Sequence, residues 1–205
     1  MIVIIDYGMG NLGSVMNMFR AVGVRDIHVS SDIKEINKAN KLILPGVGSF
    51  NSAMINLRNL GLVSLLNHKV LNDKIPILGI CLGMQLFFEA SEEGNVEGLG
   101  WIKGKVVRFY EKIEKRKLPI PHMGWNYATF EKKSKLMENS YPENKFYFVH
   151  SYHACCDEKE DILMSTKYGY KFTSAIQKGN IYGFQFHPEK SHKYGKILFK
   201  NFLKV

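Results

Sequence analysis

Apolar residues follow two different rhythms along this chain, and the change between them divides it into halves. Ile2-Val3-Ile4-Ile5 is an unbroken apolar run, as a strand requires when both faces of its sheet are covered. After a turn at Gly8-Met9-Gly10-Asn11, Leu12, Val15, Met16, Phe19 and Val22 recur at helical spacing up to Gly23, a plausible helix stop. Ile27-His28-Val29, Lys41-Leu42-Ile43-Leu44 and the segment 75–80 predict further strands. Residues 50–71 predict two helices broken near Gly61, and Met84-Gln85-Leu86-Phe87-Phe88 predicts another. Strands alternating with helices through short glycine-rich turns specify a parallel sheet with helices on both faces.

From Gly100 onward the segments shorten and fill with Val, Phe and Tyr. Residues 105–110, 145–152, 162–168, 174–178 and 181–186 predict antiparallel strands. Tyr194, Ile197, Leu198, Phe199, Phe202 and Leu203 predict a closing amphipathic helix. No fixed-period repeat or Pro- or Ser-rich linker interrupts the chain. The expected architecture is α/β: one domain over residues 1–205, with a mostly parallel twisted sheet flanked by helices and an antiparallel extension in the C-terminal half.

Composition narrows the function classes. The chain has 205 residues, 45% hydrophobic and 23% charged, which excludes wholesale disorder. No apolar run reaches the ~18 residues of a membrane span. The first residues lack a basic region and meet Asp6 at once, so no signal peptide is expected and the reducing cytosol is the expected compartment. The net charge of +9 is scattered. Its densest cluster, residues 111–117, is interrupted by acids. That suits a solvated lysine-rich surface, with a phosphorylated substrate or an acidic partner subunit as the other readings. A nucleic-acid-binding module needs a contiguous basic face with stacking aromatics, and neither is present. Gly8, Gly10 and Gly13 match a dinucleotide loop in spacing alone, without a clear acid at the end of the second strand. Cys155 and Cys156 are adjacent, which strains any disulfide between them. No metal-ligand spacing appears, so no metal and no cofactor are expected.

The chemistry concentrates in two places. Gly79-Ile80-Cys81-Leu82-Gly83 follows an apolar strand and opens a helix. A cysteine on such a turn is held exposed above the sheet, and a helix N-terminus favours its thiolate. The Leu82 N–H would face a developing oxyanion. The bland alternative is a buried structural cysteine. Phe184-Gln185-Phe186-His187-Pro188-Glu189 ends a strand. His187 there is the candidate base, and Glu189 the carboxylate that orients it. Intact Cys81, His187 and Glu189 argue against a non-catalytic scaffold.

The cysteine elbow together with His187-Pro188-Glu189 resembles the class I (triad) glutamine amidotransferase family, whose fold is flavodoxin-like. Asp6-Tyr7-Gly8, Pro45-Gly46-Val47-Gly48, Pro121-His122-Met123-Gly124-Trp125-Asn126, Tyr147-Phe148-Val149-His150-Ser151-Tyr152 and His187-Pro188-Glu189-Lys190-Ser191 narrow the likeness. They resemble the branch that feeds imidazole glycerol phosphate synthase in histidine biosynthesis. The resemblance implies that Cys81 attacks the side-chain amide of glutamine, with Gly48 and Leu82 as oxyanion donors. It implies that Gln85, Ser151 and Tyr152 bind the substrate, and that ammonia passes to a (β/α)8 cyclase subunit in a heterodimer. Pro-Gly-Val-Gly is either a tight turn or a peptide that flips to control the site. Trp125 and Tyr147 suit a core or an interface. Lying in the motifs most specific to this branch, they are placed with Lys190 on the docking face. His150 reads as a satisfied core histidine. His153, where the branch leads us to expect Tyr, is placed at the rim of the site. The competing reading within the same chemistry is a paralogue feeding another synthase, for instance one that amidates a surface-polysaccharide sugar.

Overall fold

A computed structural model describes residues 1–109 and 118–205. Five parallel strands form its centre: β1 (Ile2–Ile5), β2 (Ile27–Ser30), β3 (Lys41–Gly46), β4 (Ile77–Cys81) and β13 (Ile181–Phe184), in the order β2-β1-β3-β4-β13. The continuous apolar runs are explained by what they touch. Ile2 and Ile4, with Ile43, Leu78 and Ile80, enter one core. Val3 and Ile5, with Leu42, Leu44 and Ile77, enter the other. Helix α1 (Leu12–Ala21) and the C-terminal helix (His192–Phe202) cover the first, through Val15, Phe19, Leu198, Phe199 and Phe202. Helices α3 (Phe50–Asn59) and α4 (Leu62–Asn67) cover the second, through Phe50, Met54, Leu57, Leu62 and Leu66. Both faces are sealed, so strand positions of either parity are apolar.

Beyond β13 the sheet turns antiparallel. Strand β12 (Tyr170–Lys178) pairs with β13, with β10 (Tyr152–Cys156) and with β11 (Ile162–Tyr168). Strand β10 in turn pairs antiparallel with β7 (Ile102–Arg108). A ribbon of β8 (His122–Phe130) and β9 (Lys145–His150) hangs from β11, because β8 pairs with β9 along its first part and with β11 at its end. A mixed sheet of this kind, parallel at its centre and antiparallel at one side, is the architecture expected from the sequence.

Several local expectations are corrected. The helix expected through Phe88 is one turn, α5 (Leu82–Gln85); Phe88 already opens strand β5 (Phe88–Ser91), which pairs parallel with β7. The segment 145–152 is broken at Ser151, where β9 ends and β10 begins. Strand β8 and the short helix α2 (Ile33–Asn37) were not anticipated. The strand expected over 105–110 runs over Ile102–Arg108; position 110 and the charged cluster 111–117 lie outside the described residues. Among the described residues no helix is long and apolar enough to cross a membrane.

Candidate active site

The carboxyl ends of β3, β4 and β13 meet at one edge of the parallel sheet, where open α/β sheets hold their ligands. Cys81 ends β4 with φ 55° and ψ −111°, a conformation that costs an L-residue of order 1–3 kcal/mol and is found where function demands it. Two glycines make the bend possible by proximity. A Cβ on Gly83 would come 1.7 Å from the Leu44 carbonyl oxygen, and one on Gly79 would come 2.6 Å from the Met84 nitrogen. The elbow therefore lies directly on β3 and folds back over its own strand. Gly83→Ala is expected to cost about 3 kcal/mol or more, the upper end for overpacking. That corresponds to a Tm drop of about 6–12 °C for a chain of this size; a thermal melt within 2 °C or so of the parent would contradict it.

Strand alternation explains the other half of the site. In Phe184-Gln185-Phe186-His187 the two phenylalanines stack in the core, Phe186 against Phe146 at 3.9 Å and Phe184 at 5.0 Å. Gln185 and His187, at the alternate positions, turn the other way, toward Cys81. Gln185 Nε2 donates to Cys81 Sγ at 3.7 Å. His187 Nδ1 bonds Glu189 Oε1 at 2.8 Å, and both side chains are almost fully buried. His187 Nε2 is buried and makes no regular hydrogen bond in this resting arrangement, which is common before substrate binds. Burial opposes charging the imidazole. The Cys81 sulfur, as charge and as acceptor, and the Glu189 carboxylate outweigh it, and the His187 pKa is pushed up to about 10. The single-turn α5 has little macrodipole to offer. The positive charge facing the Cys81 sulfur comes instead from His187, with the Gln185 N–H beside it.

In front of the sulfur lies a cavity of about 360 Å³, lined by Val47, Gly48, Cys81, Leu82, Gln85, Glu93, Pro121, Val149, His150, Ser151 and Tyr152. It gathers Gly48, Leu82, Gln85, Ser151 and Tyr152, each named from the sequence, around Cys81. Gln85 Nε2 donates to the Tyr152 carbonyl at 3.0 Å and to Gln185 Oε1 at 2.9 Å. Both its N–H groups are spent, so what it offers a ligand is its carbonyl oxygen. Glu93 also accepts from Phe50 N at 2.9 Å, at the start of α3.

Glu93 and Gln185 were missed from the sequence. Gln185 had a readable signal, since it shares a strand face with His187. Glu93 had none, because a loop far from the cysteine elbow carries it into the cavity. His153 is corrected: it is buried on the opposite side of β10 from Tyr152, against Phe109 and Phe172, with Nε2 on Tyr170 Oη at 2.6 Å. It borders a second cavity of about 570 Å³ that also holds Cys155 and Cys156. Desolvation raises both thiol pKa values there, that of Cys156 to about 12, so neither resembles Cys81 as a nucleophile. Among the described residues no group of three His, Cys, Asp or Glu side chains is arranged to hold a metal.

Trp125, Tyr147 and Lys190 lie together outside the cavity. Positions 123, 125 and 127 of β8 face outward, with Met123 62%, Trp125 41% and Tyr127 52% exposed. They lie across from Val149, Tyr147 and Lys145 of β9. Lys190 Nζ sits 5.7 Å over the Tyr147 ring, Lys145 Nζ 5.4 Å over Tyr127, and Trp125 stacks on His192 at 5.5 Å. The backbone joins this face to the triad: His187 N donates to Tyr147 O at 2.9 Å, and Tyr147 N to Ser191 Oγ at 3.0 Å.

Comparison with known proteins agrees with this geometry. The profile of the family described as glutamine amidotransferase class-I matches residues 3–205. The imidazole glycerol phosphate synthase subunit HisH 2 of Methanococcus maripaludis is 56% identical, covering 100% of this chain and 99% of that protein. The subunit HisH 2 of Pseudomonas aeruginosa is 47% identical with 100% of both chains covered, and the HisH subunit of Aquifex aeolicus 45% identical over 98% and 94%. A crystal structure of a glutamine amidotransferase superposes with TM-score 0.75 at 16% identity, covering 98% of this chain and 97% of the other. The glutaminase domain of Trypanosoma brucei CTPS with bound acivicin gives 0.66 at 16%, over 98% and 91%.

Proposed function

The chain belongs to the class I glutamine amidotransferase family, and from that premise we propose how its residues divide the work of the glutaminase subunit of an imidazole glycerol phosphate synthase. It hydrolyses glutamine to glutamate and ammonia in histidine biosynthesis. The ammonia passes to a (β/α)8 cyclase subunit, HisF, which makes imidazole glycerol phosphate and aminoimidazole carboxamide ribotide. The observation that carries the reading is the strained Cys81, backed by Gln185 and the His187–Glu189 pair, opening on a cavity that Gln85 and Glu93 also line.

Glutamine enters with its side-chain amide toward Cys81. Its amide N–H groups suit the free carbonyl of Gln85, and its α-ammonium suits the Glu93 carboxylate. Ser151 and Tyr152 complete the amino-acid end. The Cys81 sulfur attacks the amide carbon, and the oxyanion collects at the N–H groups of Leu82 and Gly48. His187, held protonated by the sulfur and Glu189, gives its proton to the departing nitrogen, so ammonia leaves and a γ-glutamyl thioester remains. The charge on sulfur is then gone, and with it the leading causes of the raised His187 pKa. The imidazole becomes a competent base, takes a proton from water, and the hydroxide releases glutamate and restores the sulfur anion. One ring serves as acid and then as base because the covalent state of Cys81 sets its proton affinity.

Ammonia protonated in bulk water is no nucleophile, which favours release into a docked partner. The outer ribbon face suits that docking: exposed aromatics at its middle, and lysines at its rim for an acidic counterpart. Trp125→Ala and Lys190→Ala should each weaken assembly by about 1–4 kcal/mol, the range of hot-spot truncation, while glutamine affinity holds. The check is a titration of each variant against the purified cyclase, following ammonia and product together; unchanged affinity and product-to-glutamate ratio would remove both residues from the interface. Glu93→Gln should raise KM for glutamine about 10–100-fold, the loss of one charge-assisted hydrogen bond, with a much smaller change in kcat. Steady-state kinetics with an unchanged KM would dismiss the ammonium role.

A further inference from the structure

The inner side of the β8–β9 ribbon sets three polar side chains, His122, Asn126 and His150, among the buried Phe146 and Phe148. His122 lies directly across from His150 in the register of the two strands, and Asn126 follows on the same face of β8. Their contacts fix every proton. The Tyr152 carbonyl can only accept, so the 2.8 Å contact from His150 Nδ1 makes that nitrogen the N–H. The ring is neutral, so its Nε2 is bare and accepts from His122 Nδ1 at 2.9 Å. His122 Nε2 is bare in turn, and accepts from Asn126 Nδ2 at 3.1 Å. Burial lowers the pKa of both rings, that of His122 to about 4 and that of His150 well below its ordinary value, with His122 beside it as a second cause.

The Tyr152 carbonyl receives a second donor from the opposite side. Gln85 Nε2 reaches it at 3.0 Å, donates again to Gln185 Oε1 at 2.9 Å, and Gln185 Nε2 reaches Cys81 Sγ at 3.7 Å. An unbroken chain of hydrogen bonds thus runs from Asn126, between the outward Trp125 and Tyr127, to the nucleophile. It crosses from ribbon to main sheet at Ser151, where β9 gives way to β10. Asn126 Nδ2 also donates to the Lys167 carbonyl at 3.1 Å, which holds that end on β11; within the histidine pair, reversing one proton strands the next group in a buried place, where an unmade hydrogen bond is costly.

We propose that this chain couples docking on the outer ribbon face to the reactivity of Cys81, with His122 a positioning residue that touches neither substrate nor partner. The idea rests on the partner reading above. A partner pressing on Trp125 and Tyr147 shifts the ribbon against the sheet. The inner residues carry that shift through the Tyr152 carbonyl to Gln85, Gln185 and the sulfur. His122 stacks on Tyr168 at 4.0 Å and on Phe148 at 4.7 Å, so a phenylalanine there keeps the stack while removing both hydrogen bonds. A glutamine can restore one donor and one acceptor.

The test compares the parent, His122→Phe, His122→Gln and Asn126→Ala in glutamine hydrolysis, with and without saturating cyclase loaded with its nucleotide. Binding affinity and ammonia-dependent synthesis serve as controls. His122→Phe should bind the cyclase normally and keep ammonia-dependent synthesis, while the stimulation of kcat/KM by the partner falls at least tenfold. His122→Gln should recover most of that stimulation, and Asn126→Ala should lose part of it. Full stimulation in His122→Phe overturns the proposal; if that variant does not fold, full stimulation in Asn126→Ala does so. Equal losses in His122→Phe and His122→Gln also overturn it, because packing rather than the hydrogen bonds is then responsible. A parent that the cyclase does not stimulate at all sinks the partner reading, and this proposal with it.

Discussion

Cys81→Ala abolishes glutamine-dependent synthesis by the assembled enzyme and leaves synthesis from added ammonia at the parent rate. The first half follows from chemistry. Without the sulfur no thioester forms, and loss of a nucleophile from a triad costs about 10⁶-fold where it has been measured in other enzymes; a fall of 10³-fold or more is expected here. The second half follows from separation, because in the proposed function the acceptor reaction takes place on the partner subunit. Folding should survive. The thiol is small, and alanine meets the same positive φ of 55° that cysteine already tolerates. A glutamine-like electrophile should label the parent at Cys81 before Cys155 or Cys156, since burial pushes the Cys156 thiol up to about 12 and raises that of Cys155 as well. Glutaminase activity retained above a thousandth of the parent rate, or first labelling at Cys155, would show that the nucleophile has been misassigned.

The residues that could be read from sequence are those whose role is set by near neighbours. Gly79-x-Cys81-x-Gly83 announces its elbow because each glycine removes a clash within a few residues or with the adjoining strand. The runs in β1, β3 and β4 announce a sheet covered on both faces. Strand β8 of the ribbon was opaque for the opposite reason. In β8 Met123, Trp125 and Tyr127 are exposed, and the buried residues are His122 and Ala128. An alternation in β8 with Met, Trp and Tyr outward and His122 and Asn126 inward defeats the usual rule; in the proposed reading the outward side serves a second protein and the inward side a hydrogen-bond chain. Phe88 failed differently. Leu86-Phe87-Phe88 is equally apolar as a helix or a strand, and only its pairing beside β7 decides the matter. His153 follows strand parity: with Tyr152 toward the cavity, its neighbour points away from the site rim.

His187→Asn reduces glutamine hydrolysis by about 10⁴-fold, and Glu189→Gln by one to two orders of magnitude less. In the proposed mechanism His187 moves a proton in both half-reactions, and a positioned acid–base group contributes about 10²–10⁴ in each. Glu189 moves none; it fixes the ring through the 2.8 Å bond to Nδ1 and favours its charged form. The same pair predicts a pH signature in stability. A histidine whose folded pKa is raised to about 10 contributes stability that is fully present below its unfolded value of about 6.5. That contribution is lost as pH rises through about 10. Glu189→Gln removes a cause of the raised value, so its destabilisation relative to the parent should be greatest near pH 6.5 and shrink steadily as pH climbs toward 10. Melts of the two proteins across that window read the trend directly. A gap that widens with pH, or equal residual rates for His187→Asn and Glu189→Gln, would mean that the carboxylate does more than hold and charge the ring.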